Sequence, residues 1–228
     1  MQRERQVLAG IGVTLMATGA LWYVLTEAIT AYAFVNYSYA TNWISDLGVT
    51  TPGSYQGRAI DSPLAGVMNA GFTTAGLLTA VAGVLLFWAA PAGRRRIAIL
   101  LLGLLHGAGL AVVGLVNGSQ ENQDAGLSGF HFGGALVAIL CGNALVILLA
   151  SSTLREMLPT WARKLTIGFG AFGYACLVGL IATVALPIAP IFERGTVYAF
   201  QAAALVLAGV MISKHRARDR AIDNVARG

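Results

Sequence analysis

Ser45, Asp46 and His131 are the residues of this chain whose types could together do chemistry. A histidine held by a carboxylate can take a proton from a hydroxyl or a water, which is general acid–base catalysis. Asp124 lies in an acidic segment shortly before His131, and Asp61 is a second carboxylate that could orient the ring. Ser45, Asp46 and His131 are therefore the candidate catalytic residues if the protein is an enzyme, with Asp124 or Asp61 as the orienting group.

A turn is the alternative interpretation of the segment around Ser45 and Asp46. Asp side chains accept hydrogen bonds from nearby backbone, and Gly48, two residues further on, tolerates positive φ. The stretch Asp61-Ser62-Pro63 has a plainer interpretation, because Asp or Ser at an N-cap followed by Pro is typical of a helix start. We expect a helix to begin there.

Four further polar residues lie in otherwise apolar stretches: Glu27, Asn69, His106 and Gln201. Ionisable and polar groups are costly inside a membrane and mark functional sites by default. Together with Asp124, these four are candidate ligand-binding residues. Their structural alternatives are an interfacial carboxylate for Glu27, a histidine bonded to a neighbouring helix for His106, and an interhelical hydrogen bond for Asn69.

Six apolar stretches position these side chains and fill almost the whole chain of 228 residues. A bilayer core of about 30 Å requires about 20 apolar residues in a helix. The pattern predicts an all-α fold: a polytopic membrane protein with six transmembrane helices in one bundle, short loops, and a single integral membrane domain over residues 1–228. The predicted spans are 7–28, 64–88, 97–116, 127–149, 165–186 and 197–212. The first is longer than the apolar core of a signal peptide, so we expect it to remain uncleaved.

The charge distribution predicts the orientation. Hydrophobic residues make up 57% and charged residues 11% of the chain, against about 25% charged in soluble domains. Thirteen of the fifteen Lys and Arg lie near the two termini or in the loops on that side, and the alternate loops hold only Arg58 and Arg194. Loops rich in Lys and Arg stay on the cytoplasmic side of a membrane. We therefore expect a protein of the cell membrane with both termini in the cytoplasm. The net charge of +5 is then explained by the membrane topology. We expect the protein to contact membrane lipids and not to bind nucleic acid.

Glycines and cysteines have mainly packing roles in this interpretation. Gly103 and Gly107, and likewise Gly129 and Gly133, are spaced so that both members of a pair lie on one helix face. Packing within the bundle is the favoured role, and a homo-oligomer through these Gly-rich faces stays open. The two cysteines lie in mid-span. We expect no metal site, because one outward histidine and no outward cysteine do not supply three ligands, and no cofactor.

The elements Ile44-Ser45-Asp46-Leu47-Gly48, Asn69-Ala70-Gly71 and His131 resemble the six-span membrane protein family known as domain of unknown function 998 (DUF998). The resemblance extends from the first span to the sixth. It implies an integral membrane protein without an established activity. Members of the family often have a Phe-Pro-acidic stretch ahead of the histidine, and residues 116–121 of this chain replace it. A fainter likeness, through the Ser-Asp-x-Gly turn, points to six-span families linked to lipid remodelling.

Three functions are compatible with these features. The first is a polar site on the extracytoplasmic face, in its most concrete form an enzyme that acts on lipid or lipid-linked substrates. The second is a small transporter or ligand-binding protein with Glu27, Asn69, His106 and Gln201 around a polar cavity, although no span is interrupted at its middle as in many transporters. The third is an accessory subunit without catalysis. Contact between Asp46 and His131 would favour the first.

Overall fold

The computed structural model describes the backbone of residues 2–227 and the side chains of residues 3–217. The side chains of Arg218, Arg220 and Arg227, part of the predicted basic tail, therefore lie outside the described residues. Within the described part the chain is essentially all-α. Its helices are α1 (Gln2–Ala33), α2 (Ala65–Ala89), α3 (Arg94–Leu115), α4 (Gln120–Asp124), α5 (Ser128–Leu148), α6 (Thr160–Thr183) and α7 (Ala189–Arg227).

Six of the described helices, all except the short α4, are long and apolar enough to cross a membrane. This confirms the predicted number of spans and the all-α class. Consecutive spans run in opposite directions, so the bundle has two ends. We call them the loop end, where residues 34–64, 116–127 and 184–188 lie, and the termini end, where residues 90–93 and 154–159 lie.

The helix limits differ from the predicted spans at the loop end. α1 continues to Ala33 instead of ending near 28, and α7 begins at Ala189 instead of near 197. Arg194 lies in the added turns of α7 and forms a buried ion pair with Glu27 of α1, so a polar side chain there does not end the helix. Pro190 lies in the first turn of α7, where a missing N–H is tolerated.

The N-cap predicted at Asp61-Ser62-Pro63 is wrong, although a helix does begin two residues further along the chain. α2 begins at Ala65, after Leu64, and no side chain caps it. The Ser62 hydroxyl instead donates a hydrogen bond to the Leu47 carbonyl at 2.7 Å. Ser62 therefore attaches the preceding loop to the bundle.

The long loop contains a 3₁₀ helix, Ile44–Gly48, which we call the lid turn, and a small hairpin. Strands β1 (Gly53–Tyr55) and β2 (Arg58–Ile60) pair antiparallel, with Tyr55 opposite Arg58. The two residues between the strands, Gln56 and Gly57, both have positive φ, as in the two-residue turns that fit the twist of a hairpin. The hairpin holds Arg58 beside the lid turn.

Glycines allow α2 and α3 to pack at backbone contact. A Cβ on Gly107 would lie 2.5 Å from the Gly76 carbonyl oxygen, and a Cβ on Gly103 would lie 2.8 Å from the Gly83 Cα. Gly103 and Gly107 therefore form contacts between helices of the same chain. At Gly129 and Gly133, by contrast, an added Cβ would meet nothing within 4 Å among the described residues.

Buried apolar side chains form two main clusters along the bundle. One lies toward the termini end and the other toward the loop end, beneath the lid turn. The first includes Met16, Leu86, Ile99, Leu145 and Leu207. The second includes Tyr23, Ile44, Leu47, Met68 and Phe72. A cavity lined by members of both clusters lies between them.

Candidate functional site

The lid turn lies over the loop end of the bundle and is bonded to two helices. The backbone N–H of Ile44 donates to the Glu193 carboxylate of α7 at 2.8 Å. The Gly48 carbonyl accepts from the Asn69 side-chain amide of α2 at 2.9 Å. Ile44 and Leu47 are almost completely buried. Apolar packing and these two bonds together hold the lid turn against the helices.

Asp46, which is 1% exposed, stabilises the lid turn through Arg58 and the residues just before the turn. Both oxygens of its carboxylate bind the Arg58 guanidinium, each at 3.0 Å. The same group accepts from the Trp43 backbone N–H at 3.1 Å and from the Asn42 amide at 3.2 Å. A carboxylate bound bidentately by arginine is strongly oriented. Asp46 therefore joins the hairpin to the lid turn and to the residues just before it.

A second charged group lies between α1 and α7. Arg194 has its Nε 3.7 Å from Oε1 of Glu27, and the same oxygen accepts from the Tyr198 hydroxyl at 2.7 Å. Arg194 also donates to the Asn42 carbonyl at 2.8 Å and to the Tyr37 hydroxyl. Arg194 was predicted in a loop, and that prediction is wrong: it is 6% exposed and within α7. The sequence holds a signal for this position: a carboxylate inside a span, such as Glu27, requires a cationic partner at the same depth in the membrane.

Tyr37 completes this group from the long loop. Burial raises the pKa of the Tyr37 phenol, so that it stays protonated and donates to the Trp43 carbonyl at 3.1 Å while it accepts from Arg194. The aromatic ring of Tyr39 lies against the same guanidinium, 5.0 Å from its central carbon. Arg194 thus fixes the long loop to α7 as well as pairing with Glu27.

The cavity between the two apolar clusters has a volume of about 60 Å³. Its wall is mainly apolar and aromatic, with Tyr23, Phe72 and Phe200 among the lining residues. The polar residues that line it come from the lid turn and from α3, α5 and α7. They are Ser45, His106, His131, Asn143, Glu193, Thr196 and Gln201.

Both histidines of the cavity have an assigned tautomer. Nδ1 of His131 lies 2.7 Å from the Val116 carbonyl, and Nδ1 of His106 lies 2.8 Å from the Ala138 carbonyl. A carbonyl can only accept, so Nδ1 carries the proton in each ring and Nε2 of the neutral imidazole is an acceptor. Each ring can therefore receive a hydrogen bond, or a proton, at Nε2.

Three buried polar atoms of the lining residues have no hydrogen-bond partner among the described residues: His106 Nε2, Asn143 Oδ1 and Gln201 Oε1. These residues are at most 5% exposed. Asn143 is oriented by its amide nitrogen, which donates to the Ile139 and Thr196 carbonyls at 3.0 and 3.1 Å. Sequence reasoning missed Asn143, although a lone amide in an apolar span is the usual signal.

The cavity brings together four of the predicted residues and leaves four elsewhere. Ser45, His131, His106 and Gln201 line it. Asp46 is directed to Arg58, and no hydrogen bond joins it to His131 among the described contacts. The remaining three do not line the cavity. Asn69 binds Gly48, Glu27 binds Tyr198 and Arg194, and Asp124 accepts from Gln120 on the exposed α4.

The described residues contain no candidate metal site. No group of three or more His, Cys, Asp or Glu side chains is placed there to hold an ion.

Comparisons with known proteins give one match. A family model described as "Protein of unknown function (DUF998)" matches residues 16–210, which confirms the resemblance inferred from the motifs. No curated protein matches. No solved structure matches either.

Proposed function

Since the chain belongs to the DUF998 family of proteins of unknown function, we propose a function from its geometry: it is an integral membrane protein that binds a small polar ligand in the cavity beneath the lid turn. The observation that carries this proposal is the pair of unpartnered buried atoms on His106 and Gln201. Both residues line one cavity. A ligand there would supply the missing hydrogen bonds.

The energetic argument concerns the cost of leaving these atoms unpaired. A buried polar group without a partner costs about 1–3 kcal/mol, and about 90% or more of buried polar groups in native proteins are paired. A cavity that is only a packing defect is apolar. Two such residues around one small cavity, His106 and Gln201, therefore favour a binding site over a packing defect.

The volume limits the ligand. A water molecule needs roughly 10–15 Å³ of cavity by this kind of measure. The 60 Å³ available corresponds to a few waters or to a ligand group with a handful of non-hydrogen atoms. A whole phospholipid is excluded on size, whereas part of a headgroup is not.

The orientation that we propose rests on the distribution of charge. Thirteen of the fifteen Lys and Arg belong to the termini end, which supports cytoplasmic termini in the cell membrane. The loop end then faces the extracytoplasmic side. A ligand would reach the cavity from outside the cell, past the lid turn.

Titration calorimetry on the full chain in detergent micelles tests the binding function. Ethanolamine, ethylene glycol and acetate represent a cationic, a neutral and an anionic small molecule. We expect at least one of them to bind, and the substitution Ala135→Leu, which places a larger side chain on the cavity wall, to abolish that binding. Ala171→Leu, on an exposed face of α6, is the matched control and should bind like the unaltered protein.

Two results would contradict the proposal. One is the absence of binding for all three probes. The other is binding that Ala135→Leu leaves unchanged, because the occupied site would then lie elsewhere.

A lipid-directed enzyme is the second candidate, favoured by the presence of Ser45 and His131 in the lining of one cavity. The Nε2 acceptor of His131 would serve as the base. Incubation of the protein with headgroup-labelled phosphatidylethanolamine should then release the label, and Ser45→Ala and His131→Ala should each abolish release. Release no greater than in protein-free vesicles would contradict the enzymatic function, and ligand binding would remain as the proposed function.

A further inference from the structure

We infer that the ligand of the cavity beneath the lid turn presents an ammonium group, a cationic hydrogen-bond donor. This inference rests on the proposed binding function and specifies the chemistry of its ligand. Two independent features of the cavity lead to it: the hydrogen-bonding character of the lining atoms and the balance of charge around them.

The lining atoms whose roles are assigned are acceptors. His106 offers Nε2, because its Nδ1 proton is given to the Ala138 carbonyl. Asn143 is not counted among these acceptors, because its Oδ1 is packed against Gly173 of α6, a helix that contributes no residue to the cavity lining. His131 offers Nε2 for the same reason as His106. A ligand group that satisfies these atoms must donate more than one hydrogen bond, and an ammonium has up to three N–H donors.

The charge balance favours a cation. Arg194 is the positive side chain of this region, and two carboxylates, Glu27 and Glu193, lie within its influence. Its guanidinium is paired with Glu27 and bonded to the long loop. Glu193 has no ion pair within 4 Å among the described side chains.

Glu193 is also the carboxylate that reaches the cavity. One of its oxygens accepts from the Ile44 N–H, and the residue is part of the cavity lining. No described Lys or Arg lines the cavity. A buried carboxyl without a cation either takes up a proton or is strongly unfavourable, so a cationic ligand stabilises its charged form and an anionic ligand does not.

The aromatic lining is consistent with an organic cation. Tyr23, Phe72 and Phe200 contribute to the wall, and aromatic ring faces attract ammonium groups. A bare metal ion would require several oxygen or nitrogen ligands around one point, and the described residues hold no such group. The apolar part of the wall instead suits the methylene groups that carry an amine.

The decisive measurement compares ethanolamine with ethylene glycol, which has the same chain length but no charge. On the unaltered full chain in micelles, we expect ethanolamine to bind at least tenfold more tightly than ethylene glycol, and acetate not to bind. This comparison requires no substitution, so it does not depend on a variant that folds.

Glu193→Gln tests the role of the carboxylate. We expect it to weaken ethanolamine binding at least tenfold and to leave ethylene glycol binding unchanged. Glu121→Gln, on the short helix α4 outside the cavity lining, is the control and should change neither.

The same ammonium chemistry could come from a free amine or from the amine headgroup of a membrane lipid. Nanodiscs separate the two sources. If the headgroup is the source, ethanolamine should bind in discs of phosphatidylglycerol and lose binding in discs that contain phosphatidylethanolamine. If a free amine is the source, binding should be equal in both.

The outcomes separate this inference from the function on which it rests. Equal binding of ethylene glycol and ethanolamine, abolished by Ala135→Leu, would overturn the ammonium assignment and leave the binding function in place. Ethanolamine binding unaffected by Glu193→Gln would also overturn it. Failure of every probe would overturn both.

Discussion

Glu193, in the second turn of α7, accepts a hydrogen bond from the backbone N–H of Ile44 at 2.8 Å, across 149 residues of sequence. The same carboxylate belongs to the cavity lining. The bond that holds the lid turn therefore ends on a group that a ligand would contact. In the proposed binding function, this one side chain contacts both the ligand and the lid turn.

Loss of this bond should loosen the lid turn. A hydrogen bond to a charged group contributes about 1.5–3 kcal/mol. In Glu193→Ala, hydrogen exchange at the Ile44 amide should therefore accelerate by about tenfold or more, because 1.4 kcal/mol corresponds to a factor of ten. Exchange in the middle of α3 should not change. Unchanged protection of Ile44 in this variant would mean that packing alone holds the turn.

Asp46→Asn should destabilise the long loop. The variant loses the ion pair with Arg58 and the charge that receives the Trp43 N–H. Removing one partner of a buried charged interaction leaves the other unpaired, at about 1–3 kcal/mol. We expect faster proteolysis within residues 34–62 and lower abundance in the membrane. Asp61→Asn, at an exposed position of the same loop, should have normal abundance.

If Asp46 is instead catalytic, its variant should behave differently. Activity would be lost while abundance and protease resistance stay normal, and His131→Ala would have the same phenotype. The ratio of activity to folded protein in the membrane decides between the two roles.

Arg194→Ala should be the most destabilising of these substitutions. It leaves the Glu27 carboxylate buried without a cation and removes the bonds to Tyr37 and Asn42. Breaking a buried ion pair in this way costs about 3–5 kcal/mol, measurable as a large fall in the thermal unfolding temperature in detergent. The additional change Glu27→Gln should recover part of the loss. Arg155→Ala, at an exposed position, should unfold like the unaltered protein.

Gly107→Ala should destabilise the contact between α2 and α3. Its Cβ would lie 2.5 Å from the Gly76 carbonyl oxygen, a backbone atom, and overpacking of this kind costs about 1–3 kcal/mol. Gly133→Ala meets nothing within 4 Å and should be neutral or slightly stabilising. Equal unfolding temperatures for the two variants would contradict the packing described here.

The open face around Gly129 and Gly133 also tests the predicted homo-oligomer. If two copies meet there, Gly133→Leu should reduce the particle mass measured by size-exclusion chromatography with light scattering. An unchanged mass would exclude that face as an interface.

The orientation can be tested with a reporter enzyme that is active only outside the cytoplasm. Fused after residue 228, it should give no activity, and inserted after Pro52 in the long loop, it should be active. The reason is the excess of Lys and Arg at the termini end. The opposite pattern would reverse the assignment of the two faces.

The sequence alone determined the membrane character, the six spans and the family. These depend on local quantities, because a stretch of about 20 apolar residues spans a bilayer whatever its neighbours are, and short motifs carry the family resemblance. The helix ends were less well predicted. Arg194 lowers the local hydropathy ahead of the predicted last span, and its pairing with Glu27 explains why α7 extends through it.

Only the tertiary structure decided which polar groups meet. Asp46 pairs with Arg58, and Asn143 and Glu193 join His106, His131 and Gln201 around the cavity. A helix that is apolar on all sides has no polar face to show how it is rotated about its axis. Which side chains face the interior then depends on backbone contacts such as Gly76 against Gly107, and these form only when the two helices pack together.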